Sequence, residues 1–258
     1  MSHPYDGRVL GTDLLILLPV AFLTSVISVV TGATSLITVP VMLALGMAAP
    51  EAIASNMVAL TALSLGASSQ FWKSGELQLH SLSGLTALTV GGSLLGALLV
   101  TVLPTSSLKG VVVAAMLVMA WVVLRPSPTP PPSHKNPWWG WALTFLLGIY
   151  GGLFSGGYVT LLTVVFTHTL GFTLKEAVVG TKWLNVFSSL IAVIVFALQG
   201  LVVWPVALAM ALVMFWGAQL GAIWTRNLPE RVVRMVFTFA VLVLAVRAVV
   251  VDVPWPRG

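Results

Sequence analysis

The sequence contains no cysteine, and only 7% of its 258 residues are Asp, Glu, Lys or Arg. Without cysteine the chain can form no disulfide, no thiolate metal site and no cysteine nucleophile. Charge is scarce because a typical soluble domain carries about 25% charged residues. Hydrophobic residues make up 58% of the chain. This balance excludes a soluble fold and predicts an all-α polytopic membrane protein without a soluble domain.

The few charges give a formal net charge of +5. In a soluble protein this excess would suggest nucleic acid, but the twelve Lys and Arg residues are scattered over the ends of apolar segments. Such scatter is typical of membrane topology and anchoring. We therefore expect the lipid bilayer, and no nucleic acid, as a partner.

Motifs of catalysis are missing as well. The sequence has no nucleophile motif, metal-ligand cluster or phosphate loop. Gly148, Gly152 and Gly156 are four residues apart, which fits helix packing and lacks the preceding strand of a dinucleotide fingerprint. We expect no enzymatic activity, no cofactor and no metal.

Apolar runs divide the first half, residues 13–125, into segments. Thr12 and Asp13 are candidate caps for the run 13–30, which is followed by the break "TGATS". The next apolar piece, 36–46, is too short for a crossing of about 20 residues, so we expect a half-helix or a re-entrant arm. Further helices are predicted at 51–71, 81–103 and 109–124.

A proline-rich stretch, residues 126–137, predicts an extended linker outside the bilayer. The second half, residues 138–251, repeats the order of the first: an apolar run, the glycine break "SGGY" and a short arm. Helices are then predicted at 175–200, 202–224 and 232–251, which gives about eight transmembrane helices in all.

The two halves align when the sequence is shifted by 125 positions, the separation of Glu51 and Glu176. The same shift aligns six glycine or proline landmarks: Gly32 with Gly157, Gly46 with Gly171, Gly75 with Gly200, Gly92 with Gly217, Gly96 with Gly221, and Pro104 with Pro229. Two homologous repeats with interrupted first helices are typical of secondary transporters, whose substrate lies where the breaks meet. Their relative orientation, parallel or inverted, stays open at this point.

One ionisable residue, Lys182, lies inside an apolar run of the second half. Lysine at membrane depth is unfavourable by roughly 2.5 to 3.5 kcal/mol on insertion scales, so it commonly faces a cavity, a partner or a substrate path. Thr181, Asn185 and Ser189 share its helix face at spacings of four. Under the shift Lys182 aligns with Met57, so one net positive charge would favour a small anion. The alternative is a lysine that extends its side chain to the membrane surface.

The segments "TGATSLITVPVMLALGMAAPEAIASN" and "GGLFSGGYVTLLTVVFTHTLGFTLKEAVVGTKWLN" resemble the two repeats of the TauE/SafE family of sulfite and organosulfonate permeases. The resemblance implies a multi-pass bacterial inner-membrane carrier that moves small sulfur-containing anions, usually outward, with no bound cofactor. Gly32, Pro40, Gly46 and Asn56 match the first repeat. The matches in the second repeat are Gly156, Gly157, Gly171, Lys182 and Asn185.

From these patterns we predict one anion-binding site between the halves. Its candidate residues offer an ammonium group, amides, hydroxyls and the backbone N–H groups of helix starts: Lys182, Asn185, Thr181, Asn56, Gly32, Thr34, Ser35, Gly156 and Gly157. Glu51 and Glu176 either compensate helix dipoles or, if transport is coupled to protons, carry those protons.

Two departures from the family pattern leave a second function open. The first repeat has "TGAT" in place of a run of glycines, and Met57 stands where some members have lysine. A non-transporting membrane subunit, which assembles with another complex, is therefore the alternative to a carrier. The sequence also leaves a homodimer open.

Overall fold

The computed structural model describes residues 9–32, 34–76, 79–108, 110, 111, 114, 137–227 and 235. Among these residues the regular elements are helices, with no strand. Within the part of the chain that the structure describes, four helical spans are long and apolar enough to cross a bilayer: Ala49–Lys73, Leu82–Val102, Leu174–Leu198 and Trp204–Trp224. The all-α polytopic membrane fold is thereby confirmed. The proline-rich linker and the helices predicted at 109–124 and 232–251 fall outside the described residues or on isolated positions of them.

The first half contains a half-length helix between longer ones. In chain order the helices are α1 (Val9–Thr31), α2 (Ser35–Ala44), α3 (Ala49–Lys73) and α4 (Leu79–Val102). The prediction that Thr12 and Asp13 cap α1 is wrong, because the apolar residues before them extend the helix to Val9. The ten residues of α2 span about 15 Å, half the thickness of a bilayer core. The half-helix prediction is confirmed.

The second half repeats this order of helices: α5 (Pro137–Leu153), α6 (Tyr158–Val165), α7 (Leu174–Leu198) and α8 (Trp204–Asn227). A π-helical turn, Phe166–Leu170, continues α6. The bounds of α7 and α8 are those of α3 and α4 moved by 125 positions at both ends. The sequence repeat is therefore also a repeat of structure.

Gly75 and Gly200, which are 125 positions apart, end α3 and α7 in the same way. Both adopt left-handed φ values, 74° and 67°, which favour glycine. The N–H of Gly75 donates to the carbonyl of Trp72, and that of Gly200 donates to the carbonyl of Ala197. This arrangement satisfies carbonyl groups that a helix leaves unpaired at its end.

The helices pack in two bundles, and each bundle contains one helix from the other half of the sequence. We call α1, α2, α3 and α8 the first bundle, because α8 packs against α1 and α3. The second bundle is its counterpart under the repeat, with α4 packed against α5 and α7 and with α6 beside α7. The two bundles meet chiefly where α3 packs against α7, and both of these helices are largely buried.

Paired glycines allow the exchanged helices to approach closely. A side chain at Gly92 or Gly96 of α4 would collide with the backbone of α5. A side chain at Gly217 or Gly221 of α8 would likewise collide with α1. This four-residue spacing of glycines therefore serves helix packing.

Helix directions show that the repeats are inverted. α8 runs parallel to α3, since Gly66 contacts Phe215 and Gln70 bonds Gln219, one turn further along both helices. α4 and α7 are parallel for the same reason, with Leu82 beside Gly180 and Ser93 bonded to Ser188.

α3 and α7 are antiparallel, because Ser64 of α3 accepts from Asn185 whereas Ser55, earlier on α3, accepts from the N–H of Val203, which follows α7. Since α3 and α7 are equivalent under the repeat, the two halves run in opposite directions.

Candidate functional site

Lys182 lies inside the protein rather than at its surface. Its side chain is 1% exposed, and its Nζ donates a hydrogen bond of 2.6 Å to the carbonyl oxygen of Ser28, near the end of α1. The alternative in which this lysine extends to the membrane surface is therefore wrong. Among the residues that the structure describes, no carboxylate forms an ion pair with it. The ammonium instead faces the carbonyl end of α1, where the helix dipole favours a positive charge.

The carbonyl of Ser28 also marks the first helix break. It accepts the N–H of Gly32 at 2.8 Å as well as the ammonium of Lys182. Because the Nζ of Lys182 and the N of Gly32 both donate to this one oxygen, the two nitrogen atoms lie close together. The charge of the second half is therefore beside the interruption of the first half.

The two breaks meet each other, as predicted. Gly32 packs so closely against α6 that a Cβ atom on it would lie 2.6 Å from the Cβ of Val159 and 3.0 Å from the N of Thr160. Gly157, at φ 77°, precedes α6, and the carbonyl of Gly156 accepts the hydroxyl of Tyr150.

Asn56 uses its amide inside its own half. Its Nδ2 donates to the Ser35 hydroxyl at 2.9 Å, and its Oδ1 accepts the Thr38 hydroxyl at 2.7 Å. These bonds fasten α2 to α3. The equivalent pair of the second half, Thr163 and Thr181, joins α6 to α7 at 3.3 Å between the hydroxyl oxygens. Both positions therefore hold the half-helices in place.

Asn185 connects the two bundles. Its Nδ2 donates to the Ser64 hydroxyl of α3 at 2.7 Å, and its Oδ1 accepts the Ser155 hydroxyl at 3.3 Å. Ser155 has φ 63°, the one non-glycine residue with positive φ among those described. Asn185 thus joins the break of the second half to the contact between α3 and α7.

Thr34 is the candidate residue whose polar group has no partner in the described structure. Its hydroxyl is buried, the residue is 1% exposed, and it makes no capping bond to the helix that begins at Ser35. Ser68 on α3 has the only other such hydroxyl of the described residues. A buried hydroxyl without a partner is unfavourable by about 1–3 kcal/mol.

The acidic candidates lie at helix starts. Glu176 is exposed and forms a capping box with Thr173: its Oε2 accepts the N–H and the hydroxyl of Thr173, both at 2.8 Å. Glu51 occupies the first turn of α3, behind Pro50. Both positions fit the dipole-compensating role, and a role in proton coupling stays a prediction.

Sequence reasoning missed several residues of the junction, among them Ser28, Ser155, Thr38 and Thr163. Ser28 acts through its backbone, and the left-handed conformation of Ser155 has no signature in the sequence. Thr38 could have been found, since it lies 125 positions before Thr163 on the equivalent half-helix.

Comparison with known proteins gives a family and several relatives. The family described as "Sulfite exporter TauE/SafE" matches residues 17–248. A probable membrane transporter protein, ORF9, of Sinorhizobium sp. is 28% identical over 231 residues, which cover 88% of each chain. A probable membrane transporter protein of Haemophilus influenzae is 28% identical and covers 83% of this chain and 86% of its own.

The probable membrane transporter protein YfcA of Escherichia coli is 24% identical, over 88% of this chain and 86% of its own. No solved structure matches. The matched proteins are transporters in name, and none of these names is that of an enzyme.

Proposed function

The chain belongs to the TauE/SafE family of membrane transporters, and from this premise we propose that it is a secondary carrier of small sulfur-containing anions such as sulfite or a simple sulfonate. We place it in the bacterial inner membrane and propose export by alternating access. No described residues offer a metal cluster, and the proposal requires no cofactor.

The buried ammonium of Lys182 is the observation that carries this proposal. It lies where the two helix breaks meet, and no described carboxylate pairs with it. A cation held in a membrane by neutral groups gains more from an anion than a charge exposed to water would, because the local dielectric constant is low. The junction is therefore suited to a substrate of opposite charge.

Neutral donors complete the proposed site. The starts of α2 and α6 provide backbone N–H groups, and helix starts bind anions in many proteins. Buried hydroxyl and amide side chains are present at Thr34, Ser35, Thr181 and Asn185. Since Asn56 and Asn185 bond to protein partners in this conformation, a direct contact of either with substrate requires that those bonds be exchanged.

Inverted repeats support alternating access. The two halves have the same order of helices and run in opposite directions through the membrane, so two arrangements of similar energy can expose the anion to either side. A site between two bundles that meet chiefly at α3 and α7 can open by a change at that single contact.

Anion flux into proteoliposomes tests this function. The purified chain is compared with empty vesicles for sulfite, methanesulfonate, sulfate and chloride, with and without an imposed pH gradient. We expect saturable flux of sulfite or methanesulfonate, and a response to the gradient if protons are coupled. The absence of flux for all four anions from folded protein would contradict the proposal and favour a non-transporting subunit, which copurification with a larger complex would then identify.

A further inference from the structure

We propose that the anion binds at only one of the two helix breaks, the start of α2, where the Thr34 hydroxyl and the Lys182 ammonium hold a monovalent oxyanion of the sulfonate type. This inference rests on the proposed function and makes it more specific. A repeat protein could offer two equivalent sites, one at each break. The side chains of this chain distinguish them.

The first observation is the unpartnered hydroxyl of Thr34. It is buried at the start of α2 and bonds to none of the described groups. The other two hydroxyls of this region, on Ser35 and Thr38, are already bonded to Asn56. Ser35 accepts from the Asn56 amide and Thr38 donates to it, so Thr34 is the side chain at the start of α2 whose hydroxyl makes no bond at all.

The second observation is the position of the charge. Lys182 donates to the same Ser28 oxygen as the N–H of Gly32, so its ammonium group is next to the break that contains Thr34. An ammonium has three donors, and the structure gives one of them to Ser28. An anion at the start of α2 would meet a charge, a hydroxyl and the free N–H groups of a helix start.

The second break lacks these groups. Under the shift of 125, Thr34 corresponds to Val159, Lys182 to Met57, and Ser28 to Leu153. All three counterparts are apolar and buried. Gly32 also packs directly on Val159, so the apolar start of α6 lies against the first break. The fold is symmetric in its backbone, whereas the ammonium group and the unpartnered hydroxyl both lie at the first break.

The donors also set the class of ligand. One lysine, without a described carboxylate beside it, balances one negative charge. A dianion such as sulfate would retain an uncompensated charge in a buried site, which is strongly unfavourable. The Thr34 hydroxyl must donate to an acceptor, which the oxygen atoms of a sulfonate or of bisulfite supply.

Binding of methanesulfonate to the purified full-length protein in detergent tests the inference. The Thr34→Val variant removes the hydroxyl and keeps the shape of the side chain. We expect its dissociation constant to rise about ten- to a hundredfold, the effect of losing one hydrogen bond to a charged group. The Thr34→Ser variant, which keeps the hydroxyl, should bind like the original chain.

Ser68→Ala is the matched control, because Ser68 carries the other buried hydroxyl without a partner. We expect its dissociation constant to stay within about twofold of the original. Equal binding by Thr34→Val and the original chain would overturn the inference, and so would a larger loss in Ser68→Ala. If Thr34→Val does not fold, Thr34→Ala takes its place in the same comparison.

The design separates this inference from the proposed function. Flux and binding of methanesulfonate by the original chain, together with unaltered binding by Thr34→Val, would leave the carrier intact and reject the Thr34 site. Absence of both flux and binding in the original chain would reject the carrier itself. Sulfate that binds as tightly as methanesulfonate would contradict the monovalent class.

Discussion

Asn56 and Thr34 are both buried polar residues of the first half but differ in what their polar atoms do. The Asn56 amide is bonded through both its oxygen and its nitrogen, to Thr38 and Ser35. The Thr34 hydroxyl has no described partner. A polar group that is hydrogen-bonded within the protein contributes to the fold, whereas a donor without a hydrogen-bond partner is available to a ligand.

Replacing Asn56 should therefore reduce stability. In Asn56→Leu the Ser35 hydroxyl loses its bond to the amide, while Thr38 keeps a second bond to the Thr34 carbonyl. We expect a loss of about 1–2 kcal/mol in the free energy of unfolding, measured by denaturation in detergent. Thr181→Val, at the equivalent position with a longer contact of 3.3 Å, is the matched variant and should lose less. A larger loss in Thr181→Val would contradict this assignment.

The sequence identified Asn56, Lys182 and Asn185 as important, because each is a polar residue in an apolar helix. It could not divide them into structural and substrate-binding residues. That division depends on which partner lies opposite each side chain, and the partners of Lys182 and Asn185 are 154 and 121 positions away in the chain.

At the scale of the helix, glycine decides how closely neighbours approach. The α4 backbone comes so near to α5 that a Cβ on Gly92 would lie 2.5 Å from the carbonyl oxygen of Phe145. Gly91, the preceding residue, faces another direction, and its nearest neighbour would be 3.9 Å away. Adjacent glycines of one helix thus differ in whether a larger side chain can replace them.

A pair of alanine variants measures this difference. Gly92→Ala should force α4 and α5 apart and lower the free energy of unfolding by about 1–3 kcal/mol. Gly91→Ala should leave it unchanged or raise it slightly, since alanine favours the helix. Both are compared by thermal unfolding of the purified protein. Equal stabilities of the two variants would show that the close approach is not what requires glycine.

Most helices could be predicted from the sequence because apolar length and glycine breaks determine them. The half-helices α2 and α6 followed from the short runs after "TGATS" and "SGGY". The start of α1 was missed, since polar Thr12 and Asp13 resemble caps while the helix continues to Val9. A capping residue has an effect of only about 0.5–2 kcal/mol, which neighbouring residues can override.

At the scale of the whole molecule, the packing units differ from the sequence halves. α8 belongs to the second half but packs with α1 and α3, and α4 packs with α5 and α7. Sequence could not reveal this exchange, because lipid and protein interior are both apolar and a helix shows the same composition toward either. The repeat was visible from its glycines, whereas the partners of each helix were not.

If alternating access moves the two bundles as rigid bodies, spin labels can show whether the moving units are the bundles or the sequence halves. The chain has no cysteine, so labels attach only at introduced cysteines on exposed leucines. The pair Leu23→Cys and Leu212→Cys lies within the first bundle, and the pair Leu23→Cys and Leu98→Cys lies within the first half but in different bundles.

In pulsed EPR measurements, addition of methanesulfonate should leave the distance between the labels at Leu23 and Leu212 unchanged. The distance between Leu23 and Leu98 should shift or broaden. The opposite result, with the pair in one sequence half constant and the pair in one bundle altered, would show that the halves move as units. The unlabelled protein in the same flux assay controls for the effect of the labels.

The most direct test of the central claim is the flux of sulfite into proteoliposomes that contain Lys182→Met, with Lys175→Met as its control. Lys175 lies exposed on the same helix, so the two variants remove the same charge from different environments. We predict that Lys182→Met remains folded and loses flux by more than about tenfold, because a buried charge partner contributes about 2–5 kcal/mol. Lys175→Met should retain the flux of the original chain. Normal flux in folded Lys182→Met would contradict the account.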